Sequence, residues 1–468
     1  MGMTKRKILA SVLASGLAGF SGLALATDVF RLEGYGAISR GKGGTAVAHD
    51  VGPAGMMTNP ATLSLMQDGD QVMAGLDIVT TDIDVKNKNT GERVSSGEHA
   101  SNRGPYAAPE LAYTKRFGDW ALGVGAFAQG GLGTEYGTGS FLSRAAGGLN
   151  TGLDNSSRLL VLNIPFAASF KVSEKLAVGG SFDAMWQGLN LNLLLGADQV
   201  GSLISSGRAS GTLVPVLGGL PDMRGAHFSL TKNQPLGSGV DAWGYSGKLG
   251  MIYKATPETT LGASYTFKSE MDDMEGGATL TAVDGIAGQI PLKGKIKIQD
   301  FQMPAHLDLG INQRLNAQWT VAVDVSQVFW KDVMKDIKVA FVADPSAAVP
   351  AASGGTLNIL LPQDYKDQTI LSLGTSYALN DQLTLRGGMR FATQALRSST
   401  LFAVIPATPS KHLSLGFSYK FSPTSRVDFA YSHALREKMS NSSLPNTSEP
   451  IEVRHAQNNA TVNYTLSF

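Results

Sequence analysis

The sequence predicts an all-β protein, a 14-stranded antiparallel transmembrane β-barrel with an N-terminal plug in its lumen. From residue 71 onward apolar and polar residues alternate with period two, in segments of about ten residues separated by Gly, Asn, Asp, Ser and Pro clusters. The segments number 14, an even count that returns both chain ends to one side of a membrane. Residues 27 to 66 break the period and are crowded with small side chains.

Composition sets the outer bounds. Among 468 residues, 39 Lys plus Arg balance 38 Asp plus Glu, which leaves no basic face for nucleic acid. Cysteine is absent, and with it thiolate zinc sites, iron–sulfur clusters, cysteine nucleophiles and disulfides. Apolar residues make up 43%, too many for a disordered chain. The 55 glycines are roughly 12% of the chain against a usual share of about 7%, as expected of many turns.

The first element is a leader. Lys5, Arg6 and Lys7 precede an uncharged stretch from Ile8 to Ala26 that ends in Ala24-Leu25-Ala26, a small-x-small cleavage pattern, so a signal peptide is expected over 1–26. Its removal leaves 36 cationic against 38 acidic residues. No later stretch approaches the ~18 to 20 apolar residues of a spanning helix, so the mature chain crosses a membrane with strands or not at all.

Residues 27–68 form the expected plug. Gly34, Gly36, Gly41, Gly43, Gly44, Gly52 and Gly55 make the segment compact, while Val29, Phe30, Leu32, Met56, Met57, Leu63 and Leu65 require burial. A barrel this wide leaves a lumen that its own side chains do not fill.

The barrel is expected over 69–468, with strand cores near 71–84, 107–117, 119–129, 157–173, 175–190, 241–254, 259–271, 293–314, 317–334, 366–379, 382–395, 410–422, 424–437 and 452–468. Leu413, Leu415, Phe417, Tyr419 and Phe421 share one face of their segment against His412, Ser414, Ser418 and Lys420 on the other. Short joins such as Phe117 to Asp119 and Ser422 to Thr424 become periplasmic turns, and the long joins, chiefly 191–240 and 335–365, become external loops. The third segment, Trp120 to Gln129, runs into Gly130, Gly131, Gly133, Gly137 and Gly139, which weaken a strand end and let it leave the ladder.

The external loop at 189–221 is unusually apolar. Leu191, Leu193, Leu194, Leu195, Leu203, Ile204 and Leu217 are the candidate capture surface for a hydrophobic ligand, and the run Leu189 to Ala197 is compatible with a short helix. Strand parity points Arg386, Arg390 and Lys248 into the lumen, where each pairs with a wall acid such as Asp183 or Asp428 or meets a ligand carboxylate.

Catalysis finds no support. The seven histidines are dispersed, with no GxSxG or HExxH pattern, so a lipid-modifying enzyme of the outer membrane is the remote alternative. Asp272, Asp273 and Glu275 read as a solvated acidic turn rather than a calcium site, and no metal or cofactor is expected.

One family carries these features together. Gly43-Gly44-Thr45-Ala46-Val47-Ala48-His49-Asp50 followed by Asn59-Pro60-Ala61 resembles the hatch of the FadL/TodX (OmpP1) family of outer-membrane transporters. Met303-Pro304 and the run Asp324-Val325-Ser326-Gln327-Val328-Phe329-Trp330 are similar to its central block. The chain departs from the pattern at His49, where an acid is common, and at Thr408 to Lys411. The resemblance implies a monomer in the bacterial outer membrane, inserted by the outer-membrane assembly machinery among lipid and lipopolysaccharide. It also implies passive diffusion of long-chain fatty acids or, alternatively, aromatic or alkane hydrocarbons past the hatch and out through a lateral opening.

Overall fold

The alternation becomes one antiparallel sheet, in a computed structural model that describes residues 29–96, 105–230 and 239–468. The leader expected over 1–26 lies outside the described residues. In chain order the main strands are β1 (Gly69–Asn87), β2 (Tyr106–Phe117), β3 (Trp120–Glu135), β4 (Ser156–Lys171), β5 (Leu176–Gly196), β6 (Met223–Leu230), β7 (Val240–Lys254), β8 (Thr259–Thr266), β9 (Met274–Asp284) and β10 (Gly288–Gln299). They continue as β11 (His306–Arg314), β12 (Trp319–Val328), β13 (Asp336–Ala343), β14 (Thr356–Pro362), β15 (Gln368–Ala378), β16 (Leu383–Ala392), β17 (Lys411–Ser422), β18 (Ser425–Asn441) and β19 (Ile451–Ser467). The short helices used below are α1 (Gly36–Gly41), α2 (Ala197–Ser205) and α3 (Leu213–Gly218).

The sheet closes where β19 pairs with β1, from Ser467 opposite Gln71 to Ile451 opposite Asn87. Among the described residues the closed circuit has 16 strands, not the expected 14, and runs β1–β2–β3–β4–β5–β6–β9–β7–β8–β11–β12–β15–β16–β17–β18–β19. The two added strands are β6 and β9. Strands β5 and β7 pair directly from Leu176 opposite Tyr253 to Gly188 opposite Asp241; beyond Gly188 they part, and β6 and β9 stand between them. Periodicity missed both for a physical reason. β6 is covered on both faces, with Ala226, His227 and Phe228 all buried, and β9 is mostly small Gly, Ala and Thr over 276–282, with Leu280 the one large side chain there, a contrast too weak to reveal a face.

Other expectations shift with them. The segment read as one strand over 293–314 is two, β10 and β11, separated by a turn in which Asp300 takes a φ of 53°. The expected loops at 191–240 and 335–365 carry ordered structure, and β9–β10–β13–β14 extend the sheet beyond the closed circuit. The run from Leu189 is strand to Gly196 and becomes helix only at Ala197.

Parity was legible where one face is apolar. Leu413, Leu415, Phe417, Tyr419 and Phe421 are exposed on the outer face of β17, while His412, Ser414 and Ser418 are buried on the inner face. No helix among the described residues is long and apolar enough to cross a membrane.

Residues 29–66 lie against the inner face of this wall and are almost wholly buried. Wall glycines let backbone meet backbone there. A Cβ on Gly250 would stand 1.9 Å from Asn59 Oδ1, and one on Gly262 2.1 Å from the Val47 carbonyl oxygen, so any side chain at either position collides with the segment.

Candidate functional site

Two apolar pockets lie toward the end of the barrel that carries the long connections. The first is walled by alternate residues of five strands, including Leu191, Leu193 and Leu195 of β5, Phe228 of β6, Ile296 of β10, Val339 of β13 and Ile359 of β14; none of its lining side chains is polar. The second lies beneath α2 and α3, against Leu203, Ile204 and Leu217, and shares Leu195, Phe228 and Ile359 with the first. Six of the seven leucine and isoleucine candidates therefore converge. Leu194 does not: by strand alternation it turns to the opposite face and packs on Ala145 and Val283.

The same apolar cluster runs inward to an aromatic cage. Phe30 sits among Phe301, which follows β10, Trp330, which follows β12, and Tyr365, which precedes β15. Its ring is edge-on to the Trp330 indole, 5.6 Å between centroids, and 6.2 Å from Phe301 and Tyr365. The indole N–H of Trp330 and the Tyr365 hydroxyl are buried and have no hydrogen-bond partner in the protein. Phe301 and Tyr365 were not singled out from the sequence, and Trp330 entered only as the end of the central-block run, because each stands just outside an observed strand, where alternation gives no signal.

Backbone contacts hold Phe30 in place. Its carbonyl accepts from Gly131 N–H at 2.7 Å, Leu32 N–H donates to the Gln129 carbonyl at 3.2 Å, and Arg31 bridges to Gly130. This is where β3 changes neighbours. β3 pairs with β2 no farther than Phe127 opposite Glu110; beyond a bulge between Ala128 and Gly130 it keeps β4 on one side and meets the N-terminal segment on the other. Tyr106 to Pro109 of β2 pair with β1 alone, and Pro109 has no N–H to offer a second neighbour.

Charged and polar anchors fix the rest of the segment. Arg40 meets Asp77 of β1 and Glu33 of its own segment, and donates to Thr461 Oγ1 at 2.9 Å. Burial alone would raise the Glu33 carboxyl, but Arg40, with His412, Ser432 and Asn459, holds it at about 2. Gly36 N–H donates to the Glu110 carboxylate at 3.1 Å, and Asp324 of β12 accepts from Ala46 N–H at 2.7 Å and Val47 N–H at 3.0 Å. Lys42 Nζ lies 3.0 Å from His49 Nε2; burial, then Arg386, pushes the lysine down to about 7 against the pull of Asp324.

The Asn59-Pro60-Ala61 motif builds a local cap. Asn59 Oδ1 accepts from Ala61 N–H at 3.1 Å at the start of a short helix over Pro60–Leu65, and its Nδ2 donates to the Val47 carbonyl at 2.7 Å and the Met251 carbonyl at 3.2 Å. One side chain thus ties the helix start, the preceding turn and strand β7.

The inward cations are all engaged by the wall. Lys248 pairs with Asp183, Arg390 donates to Ser372 Oγ at 2.6 Å, and Arg386 lies 4.0 Å from Asp428. None of the three lines either apolar pocket.

Comparison with known proteins agrees with this architecture. The family model described as outer membrane protein transport protein (OMPP1/FadL/TodX) matches residues 20–467. The crystal structure of the P. putida toluene transporter TodX is 43% identical, with a TM-score of 0.83 over 93% of this chain and 99% of its own. The Ralstonia pickettii toluene transporter TbuX is 44% identical, with a TM-score of 0.79 over 93% of this chain and 99% of its own. The long-chain fatty acid transport protein of Escherichia coli O6:H1 is 22% identical over 428 residues, 88% of this chain and 86% of that protein. Fold, buried N-terminal segment and sequence converge: the chain belongs to the OMPP1/FadL/TodX family of outer-membrane transport proteins.

Proposed function

We propose that the chain carries neutral monoaromatic hydrocarbons inward across the outer membrane by passive diffusion. The observation that supports this most is the cage around Phe30, whose side chain is a benzyl group, in effect toluene on a tether. A ligand of that shape gains the same edge-to-face contacts, worth roughly 0.5–1.5 kcal/mol each beyond burial. Relatives above 40% identity are described as toluene transporters, in keeping with this substrate class.

In this reading the two outer pockets capture the solute, and residues 27–68 act as a hatch that yields when ligand takes the place of Phe30. Such a shift needs only unequal affinity for the two hatch states. Exit is sideways, between β2 and β3 beyond Phe127, where the N-terminal segment stands in for the missing neighbour. Long-chain fatty acids are the second reading, favoured by the inward cations Arg386, Arg390 and Lys248 and by the names of the relatives near 22% identity. It has less support, because a carboxylate would have to displace Asp183, Asp428 or Ser372 from these cations. Initial uptake of labelled toluene and oleate by cells that gain or lose the chain tests the choice: toluene uptake rises with the chain and oleate uptake does not.

A further inference from the structure

Toward the end of the barrel that carries the long connections, the outward side of β1, β18 and β19 changes from apolar to basic. Register fixes the face. Leu76 and Ile78 of β1 and Val462 and Tyr464 of β19 are exposed on it, and alternation carries it on through Asp82, Asp84 and Lys86 of β1 and through Asn458, Arg454 and Glu452 of β19. Between the two zones Tyr431 and His433 of β18 both meet Asn458 Oδ1, the hydroxyl at 2.7 Å and Nδ1 at 2.8 Å, as side chains with an apolar body and a polar tip do at a membrane boundary.

A bulge in β18 between Ala434 and Glu437 decides which side chain joins this face. Without the extra residue Glu437 would stand opposite Arg454; with it Lys438 does. On the neighbouring row Lys86 stands opposite Arg93 of the short strand Arg93–Ser95. Two like-charged pairs directly across a ladder cost stability unless an anion joins them. The acids of the face answer only part of this charge. Arg436 meets Asp82 and lies 3.6 Å from Asp84, Arg93 is 2.8 Å from Asp84, and Arg454 is 2.8 Å from Glu452. Lys86 and Lys438 make no ion pair among the described residues, although Glu452 stands opposite Lys86, and at the edge Lys411 lies 3.5 Å from Glu437.

We propose that this face binds one lipopolysaccharide molecule of the outer leaflet, with a phosphate of its glycolipid base at Lys86, Arg454 and Lys438 and its acyl chains on Leu76, Ile78 and Val462. Lys86 and Lys438 flank β19 with Arg454 between them, so one phosphate over that strand joins cations that otherwise repel. A head that carries several negative charges on an apolar body matches a basic zone set directly beside an apolar one. The site is independent of which solute the barrel carries.

Native mass spectrometry of the delipidated protein, titrated with bisphosphorylated lipid A or with dioleoylphosphatidylglycerol, reads this directly. Wild type is expected to retain one lipid A in preference to phosphatidylglycerol. Lys86→Gln with Lys438→Gln weakens that retention about fivefold for each lysine, roughly thirtyfold together. Lys293→Gln with Lys295→Gln, two exposed lysines of β10 away from this face, leaves it within about twofold of wild type. Unheated gel mobility confirms that each variant is a folded barrel. Equal loss in the two double variants, or equal retention of both lipids by wild type, overturns the assignment.

Discussion

The ring of Phe30 meets the indole of Trp330 at 89°, with 5.6 Å between centroids, and so joins the first described residues of the chain to the end of a strand 300 positions later. On the proposed function, this contact is the inner limit of the ligand's route. Removing either ring separates the hatch's own occupant from the place it occupies.

Phe30→Ala vacates the cage. The substitution costs about 3–5 kcal/mol of packing, drawn from the docking of the segment rather than from the wall. Toluene affinity, measured by quenching of tryptophan fluorescence, rises about tenfold because the competing ring is gone, while Trp330→Ala lowers toluene uptake.

Leu193→Asp places a carboxylate in the wholly apolar outer pocket and lowers toluene uptake roughly tenfold, since nothing there pairs with a charge. Leu194→Ser, one residue on, leaves uptake within about twofold of wild type because its side chain faces away from the pocket. Initial uptake rates in whole cells compare the two.

Arg40→Met leaves Glu33 and Asp77 buried without their cation, a loss of about 3–5 kcal/mol. The segment is expected to become open to protease while the barrel keeps its mobility on unheated gels. Equal protease resistance in wild type and variant would deny Arg40 its anchoring role.

Docking of the segment also depends on pH. Lys42 ionises near 7 in the fold against an ordinary 10.5, so between those values only the undocked lysine holds its proton. Docking therefore strengthens as pH rises from 7 to 10.5 and is flat below 7. Glu33, held at about 2 against an ordinary 4.5, contributes in full throughout that window and loses its contribution only as pH falls below 4.5. Hydrogen exchange of the amides of residues 42–47, corrected for intrinsic rates, shows more protection at pH 10 than at pH 7 in wild type and no difference in Lys42→Met.

What was legible in the sequence follows from where polarity alternates. β17 and β19 announce themselves because one face meets lipid and the other a polar interior, so residues such as Phe417 and Ser418 differ sharply. β6 was hidden because both its faces are covered, whereas β13 does alternate, Ile337, Val339 and Phe341 against Asp336 and Lys338, but with β14 was read as an apolar external loop. The candidate capture leucines were visible as excess apolar residues, but the strand that separates Leu193 from Leu194 was not. The cage was invisible for a different reason. Phe30, Phe301, Trp330 and Tyr365 come from four distant stretches, and only the closed sheet brings them together.

On the proposed function, the cage is a ligand site that the Phe30 ring fills at rest. Crystals grown or soaked with bromobenzene, whose bromine is located by anomalous scattering, test it most directly. Bromine is expected between Trp330 and Tyr365 with the Phe30 ring displaced; bromine confined to the outer pockets, with Phe30 unmoved at saturating ligand, would exclude the cage as a ligand site.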